Sequence, residues 1–539
     1  MNSMGGLQAV QTVFLLLLVI VAVFAVMAHR MKVPYPIVLV LGGLAISFVP
    51  HIPRIPLNPE LIFLIVLPPL LYSSAWAMSW REFRYNLVTI TMLAVGLVAF
   101  TVWGVAEFSD HFITALDWKS GFLLGAVVAT TDAIAATSIA KTLGLPRKIV
   151  DILEGESLLN DATGLLALEF GLAMLLHGET PTVSGGLLRL GYLVVVGIVV
   201  GLLIGMAAAW LEKFIEDGPI ELVISLVVPY AAYLAGEHLH GSGFLAVVAC
   251  GLYMSRKSSE FFSPAARIQV MGVWDALTFI LNGIVFVLIG LQLPYVLAGI
   301  RGYGWRTLVL YGVLFSIVLI VLRLVWMFPA ARIAHIIQKR LPGHHEDAPS
   351  TRGVFVIGWT GMRGVLALAA AFSLPETLDD GRPFAARNLI VFLAFSVILV
   401  TLVLQGLTLP ALIRALGLAR TTTEMEPEER TARQTVLEAA LRYLEDQRQR
   451  DGQRFEHAYD DLIHRYRHRL AAMGEGGGED GQDAETYAQL REAAAGAIRT
   501  ERQTMIRLRA EGRIGDDVLR TLEREMDLAE SRYQVAGSR

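Results

Sequence analysis

The chain has 539 residues, 54% of them hydrophobic and 17% charged, with a mean hydropathy of +0.54. Average globular usage is about 25% charged, so this composition excludes a water-soluble globular protein and indicates a polytopic membrane chain. The net charge of −4 averages two unlike regions: long apolar runs to about residue 420, then a stretch rich in Arg, Glu, Asp and Gln. A transmembrane domain is expected over 1–418 and a water-soluble helical tail, a candidate for regulation, over 419–539, with a linker "GEGGGEDGQD" at 474–483 before helical stretches near 485–511 and 516–534. The first apolar run, Val13 to Ala28, has no Lys or Arg before it and no small-residue cleavage site after it. "HRMK" follows, the flank of a retained span rather than the end of a signal peptide.

A helix needs roughly 20 apolar residues to cross about 30 Å of hydrocarbon. On that measure about thirteen spans are expected, near 11–29, 35–50, 60–79, 86–108, 120–142, 149–177, 185–213, 219–238, 242–255, 268–294, 307–331, 353–374 and 388–413. Turn-like or charged breaks such as "SWREFRYN", "LGLPRK" and "PETLDDGRP" separate them. Loops after the odd-numbered spans to the eleventh hold about 15 Lys and Arg, against about 7 in the other set. Basic loops stay in the cytoplasm, which puts the N-terminus outside and the tail inside. The lone Cys250 lies in an apolar run and reads as core packing.

Charges within spans are costly and mark functional sites by default. Three segments concentrate them: "VVATTDAIAATS" in the fifth span with Asp132, "EGESLLNDATG" in the sixth, and "GWTGMRGVLALA" in the twelfth with Arg363. The fifth and twelfth spans are each interrupted midway by small or hydroxyl residues. They occupy equivalent positions if spans one to six and eight to thirteen are inverted repeats. Paired broken helices of this kind build midplane sites, because their freed carbonyls and half-helix ends meet charged ligands.

At 3.6 residues per turn, Glu154, Ser157 and Asp161 share one helix face, while Glu156 and Asn160 lie on a neighbouring one. A carboxylate beside hydroxyl and amide oxygens suits a small hard cation that has shed its water. The same carboxylate can take a proton, so proton and cation compete for one site. Arg323, deep in "VLIVLRLVWMF", must find a buried acid; Glu156 is the first candidate and Glu154 the second. His335, His344 and His345 sit at or beyond a span end and read as a solvated loop. No nucleophile-and-base pair or metal-binding histidine cluster in the spans suggests an enzyme.

"TTDAIAATSIAKTLGLPRKIVDILEGESLLNDATGLLALEF" (Thr130 to Phe170) closely resembles the hallmark segment of the bacterial NhaP-like sodium/proton antiporters and their eukaryotic sodium/proton exchanger relatives. "LPPLLYSSAW", "FILNGIVFVLIGLQL" and "GWTGMRGVLALA" resemble further family segments in the expected order, over residues 10 to 415. The resemblance implies an all-α polytopic fold of about thirteen spans in two inverted repeats with crossed discontinuous helices. It also implies a homodimer working as an elevator in the plasma (inner) membrane, with no cofactor and no nucleic-acid partner. By motif position Asp161 is the ion- and proton-carrying aspartate. Ser157 and the backbone around Thr131 help hold Na+, Asp132 fixes Asn160 and the unwound peptides, Glu156 and Arg323 form a structural ion pair, and Arg363 belongs to the second broken helix. The Asn-Asp form resembles electroneutral members, hence one cation for one proton. Two departures stand out: Ala133 replaces a common proline, and "PPLLYSS" offers Tyr72, Ser73 and Ser74 where several members carry an acid. Sodium/proton exchange is therefore the expected function. K+ or Li+ in place of Na+, K+/H+ antiport, and a passive cation channel are the alternatives.

Overall fold

The computed structural model describes residues 2–49, 57–176, 182–215, 217–262, 264–300, 303–341, 349–378, 381–419, 427–451, 456–471, 479–511, 513, 522, 525–526 and 529. Two compact units divide it, Met1–Arg420 and Thr421–Arg539.

The first unit is helical throughout its named elements. In chain order these are α1 (Asn2–Met31), α2 (Tyr35–Ser47), α3 (Pro59–Ala77), α4 (Trp80–Phe112), α5 (Trp118–Ala129), α6 (Ala133–Thr142), α7 (Arg147–Leu176) and α8 (Val183–Glu212). They continue as α9 (Gly218–His238), α10 (Gly243–Phe261), α11 (Pro264–Leu291), α12 (Leu293–Gly299), α13 (Trp305–Gln338), α14 (Thr351–Trp359), α15 (Val365–Phe372) and α16 (Arg387–Ala415). Among the described residues, ten helices are long and apolar enough to cross a membrane. The expected spans at 35–50, 242–255 and 353–374 fall outside that set for three reasons. Helix α2 has only 13 residues, α10 carries Arg256 and Lys257 within its length, and the third region breaks into α14 and α15.

Burial separates the middle of this unit from its rim. In the most apolar stretch of Trp118–Ala140 and of Arg387–Ala415, 72% of residues are buried, against 22% in Gln11–Met31 and 28% in Gly218–His238. The rim helices present Leu187, Val195, Trp210 and Val227 outward. Such large apolar side chains face hydrocarbon when the backbone satisfies its own hydrogen bonds within each helix.

Helices α3, α4 and α16 each widen into a π-turn, at Ile62–Val66, Met92–Leu97 and Thr401–Gln405. A π-turn frees carbonyls for other partners. In α4 the Trp326 indole donates to Met92 O (3.1 Å) and the Thr163 hydroxyl donates to Ala94 O.

The second unit holds α17 (Pro427–Asp451), α18 (Glu456–Ala471) and α19 (Glu479–Ala510). Arg467 pairs with Glu445 at 2.8 Å and Arg448 with Asp460 at 2.7 Å, tying α18 to α17. The expected linker at 474–483 is helical from Glu479 onward, and most of the expected helix at 516–534 lies outside the described residues.

Candidate functional site: a crossing of two broken helices

Thr130, Thr131 and Asp132 are unwound between α5 and α6, and residues 360–364 between α14 and α15. The two interruptions meet: Asp132 N donates to Met362 O at 2.9 Å. Gly364 permits the contact, since a Cβ there would fall on the Asp132 carboxylate.

Each broken helix exposes four carbonyls at its C-terminal end, which carries partial negative charge. Two buried arginines answer them. Arg363, 1% exposed, donates through Nε to Val128 O (2.6 Å) at the end of α5 and through an Nη to Gly361 O (2.7 Å). Arg323, 2% exposed, donates to Gly358 O and Ile357 O at 3.1 Å, at the end of α14. The opposite ends carry partial positive charge and meet an acid. Asp132 Oδ1 accepts from Ile134 N at 2.8 Å, capping α6, and the same carboxylate lies against Gly364 at the start of α15. One aspartate thus serves two half-helix N-termini.

Helix α7 packs on the crossing through Thr131. Glu156 accepts both Arg323 Nη groups, at 2.5 and 2.8 Å, and its Oε1 also accepts from Thr131 Oγ1 at 3.2 Å. Asn160 Nδ2 donates to Thr131 Oγ1 at 2.5 Å. Ser157 Oγ donates to Thr131 O at 2.9 Å and accepts from Ala133 N at 3.4 Å. The sequence suggested that Asn160 reaches Asp132; it reaches Thr131 instead. Unwinding turns the Thr131 side chain towards α7 and leaves Asp132 facing the first turn of α6. Glu154, the second candidate for Arg323, lies on the other face of α7.

That other face borders a cavity of about 100 Å3. Glu154, Ser157 and Asp161 line it along α7, with Thr131 and Asp132 from the crossing. Asp161 is 7% exposed, and its carboxylate makes no hydrogen bond or ion pair among the described residues. No Lys or Arg among the described residues lines the cavity. The facing wall is mostly apolar, with two neutral polar side chains, Ser74 of α3 and Asn282 of α11. Ser73 is turned away and accepts from Thr278 Oγ1 at 3.1 Å. Sequence reasoning did not single out Asn282. The available signal was an isolated amide in the apolar run "FILNGIVF".

The fold and the sequence place the chain among known proteins. The family model "Sodium/hydrogen exchanger, transmembrane" matches residues 15–415. An uncharacterised Na(+)/H(+) exchanger of Mycobacterium tuberculosis is 32% identical over 538 residues, covering 97% of this chain and 96% of that one, so the similarity runs through the tail. A sodium, potassium, lithium and rubidium/H(+) antiporter of Bacillus pumilus is 30% identical over 451 residues, covering 81% and 66%. The structure of the sodium proton antiporter MjNhaP1 from Methanocaldococcus jannaschii superposes with a TM-score of 0.59 at 21% identity, covering 77% of this chain and all of that one; at that identity it shows a common fold. The chain belongs to the sodium/hydrogen exchanger family, and is a multi-pass cation/proton antiporter rather than an enzyme.

Proposed function

We infer that the protein exchanges one sodium ion for one proton by alternating access across the plasma membrane, and that Asp161 carries both in turn. The observation behind this reading is the Asp161 carboxylate itself, which faces a cavity that no Lys or Arg among the described residues lines. A bare buried carboxylate is costly, so the empty, ionised site is disfavoured against either the proton-bound or the cation-bound one. That penalty couples the two fluxes. Ser157 lends hydroxyl oxygen to the cation, and the unwound stretch at Thr131 and Asp132 lends further oxygens, the donor type that hard cations prefer. Because Ser157 donates its proton to Thr131 O and accepts from Ala133 N, one lone pair of its oxygen is left to turn towards a cation.

The other charged groups hold this geometry. Asp132 compensates two half-helix N-termini, Arg363 and Arg323 compensate the C-terminal ends, and Glu156 with Arg323 is a structural ion pair. Asn160 holds Thr131 in register. The basic loops favour an outside N-terminus and a cytoplasmic tail. The resemblance to NhaP-like proteins favours a homodimer whose core bundle moves against a static one. Sodium is the favoured cation; potassium is the second choice, because the wall facing Asp161 offers the neutral Ser74 and Asn282 rather than an acid.

Vesicles containing the purified protein test this directly. Adding sodium should dissipate a preset proton gradient, reported by a pH-sensitive dye, and Asp161→Asn should abolish the response. Full exchange by that variant would refute the site. A sodium conductance without proton flux would instead indicate a passive channel. The same assay with potassium and lithium ranks the cations.

A further inference from the structure

A second cavity, of about 60 Å3, opens beside the ends of α4, α7, α13 and α14. Its polar side is basic: Lys148 at the start of α7, and His335 and Lys339 at the end of α13. Its other side is apolar, with Leu93, Ile152, Met327 and Ile357. Gln338 Nε2 donates to Tyr85 O at 3.3 Å and fixes the wall between α13 and α4. Lys148 lies over the Tyr85 ring at 5.8 Å, and Glu82 is an acid within its electrostatic reach. No carboxylate among the described residues lines the cavity itself.

We propose that this cavity binds an anionic phospholipid, with its phosphate between Lys148, His335 and Lys339 and the first part of an acyl chain on the apolar side. Three arguments favour a lipid over a soluble anion. The cationic groups sit at the ends of membrane-crossing helices, where headgroups lie, and basic pockets between such helices suit anionic headgroups. The apolar half of the cavity would be left wet by inorganic phosphate, whereas a chain covers it. The cavity is also too small for a whole lipid, so the chain must leave sideways into the bilayer from which the lipid comes. Ile357 lines the cavity and gives its carbonyl to Arg323. An occupant therefore rests on the residue that seats the buried ion pair.

The test is lipid retention by the full chain. Protein is equilibrated in mixed micelles of phosphatidylglycerol and phosphatidylcholine, and the bound lipid is counted by native mass spectrometry. Wild type should retain phosphatidylglycerol in preference. Lys148→Gln with Lys339→Gln should lower that preference by at least about fivefold, the loss expected for one basic residue at an anionic surface. Exchange by this variant in purely zwitterionic vesicles should match wild type in the same vesicles, which separates lost binding from lost fold. Equal retention by wild type and a folded variant would overturn the proposal. So would displacement of phosphatidylglycerol by millimolar inorganic phosphate, which would identify a soluble anion as the occupant.

Discussion

Removing the Arg323 guanidinium offers a quantitative handle on the broken-helix crossing. Arg323→Met keeps much of the side chain's length but deletes four hydrogen bonds, two to Glu156 and two to the carbonyls of Ile357 and Gly358. Glu156, 1% exposed, would retain only the Thr131 hydroxyl. Breaking one side of a buried ion pair costs about 3–5 kcal/mol, and each orphaned buried carbonyl adds about 1–3 kcal/mol. A loss of at least about 4 kcal/mol is therefore expected. Glu156→Leu should cost a similar amount by stranding the guanidinium. The double variant strands neither charge and loses mainly the two carbonyl contacts, so it should be less destabilised than the sum of the singles by about 3 kcal/mol. Reversible unfolding in mixed micelles, followed by tryptophan fluorescence, measures all three. An Arg323→Met loss below about 1 kcal/mol, or a double variant equal to the sum within about 0.5 kcal/mol, would refute the reasoning.

Other perturbations follow from the same geometry. Gly364→Ala drives a Cβ onto the Asp132 carboxylate; it should destabilise the protein by about 1–3 kcal/mol and remove most exchange, and wild-type rates in vesicles would contradict the close approach. Ser157→Ala should raise the half-saturating sodium concentration by about tenfold, the worth of one hydroxyl ligand, with little change in maximal rate; an unchanged sodium curve would take Ser157 out of the cation shell. If proton and sodium share the Asp161 carboxylate, as proposed, half-saturating sodium should rise about tenfold for each pH unit of acidification while the site is mostly protonated. A sodium affinity flat with pH would mean separate sites. Deleting 421–539 should shift the pH profile of exchange if the tail regulates, and an unchanged profile would assign it no such role.

The legible part of this site is the part that helical periodicity governs. Glu154, Ser157 and Asp161 fall on one face by counting, and they line one cavity. Arg323 advertised its need for an acid by standing alone in an apolar run, and Glu156 meets it. Counting fails where the helix unwinds. No period predicts that Thr131 rather than Asp132 receives Asn160, because three non-helical residues reset the direction of each side chain. Ser74 and Asn282 were out of reach for a different reason: only the packing of α3 against α7, and of α11 against α3, puts them across the cavity from Asp161. The tail shows the limit of composition. "EDGQD" reads as linker, yet it opens α19. One glycine costs only about 1 kcal/mol in a helix, too little on its own to end one.

Sodium and a proton are proposed to exclude each other at Asp161. Isothermal titration of sodium into the purified protein, repeated in buffers of different ionisation enthalpy, counts the protons released per ion bound. About one proton should leave wild type per sodium bound when the site starts protonated, and Asp161→Asn should release none. Sodium binding without proton release, or undiminished release from that variant, would contradict the account.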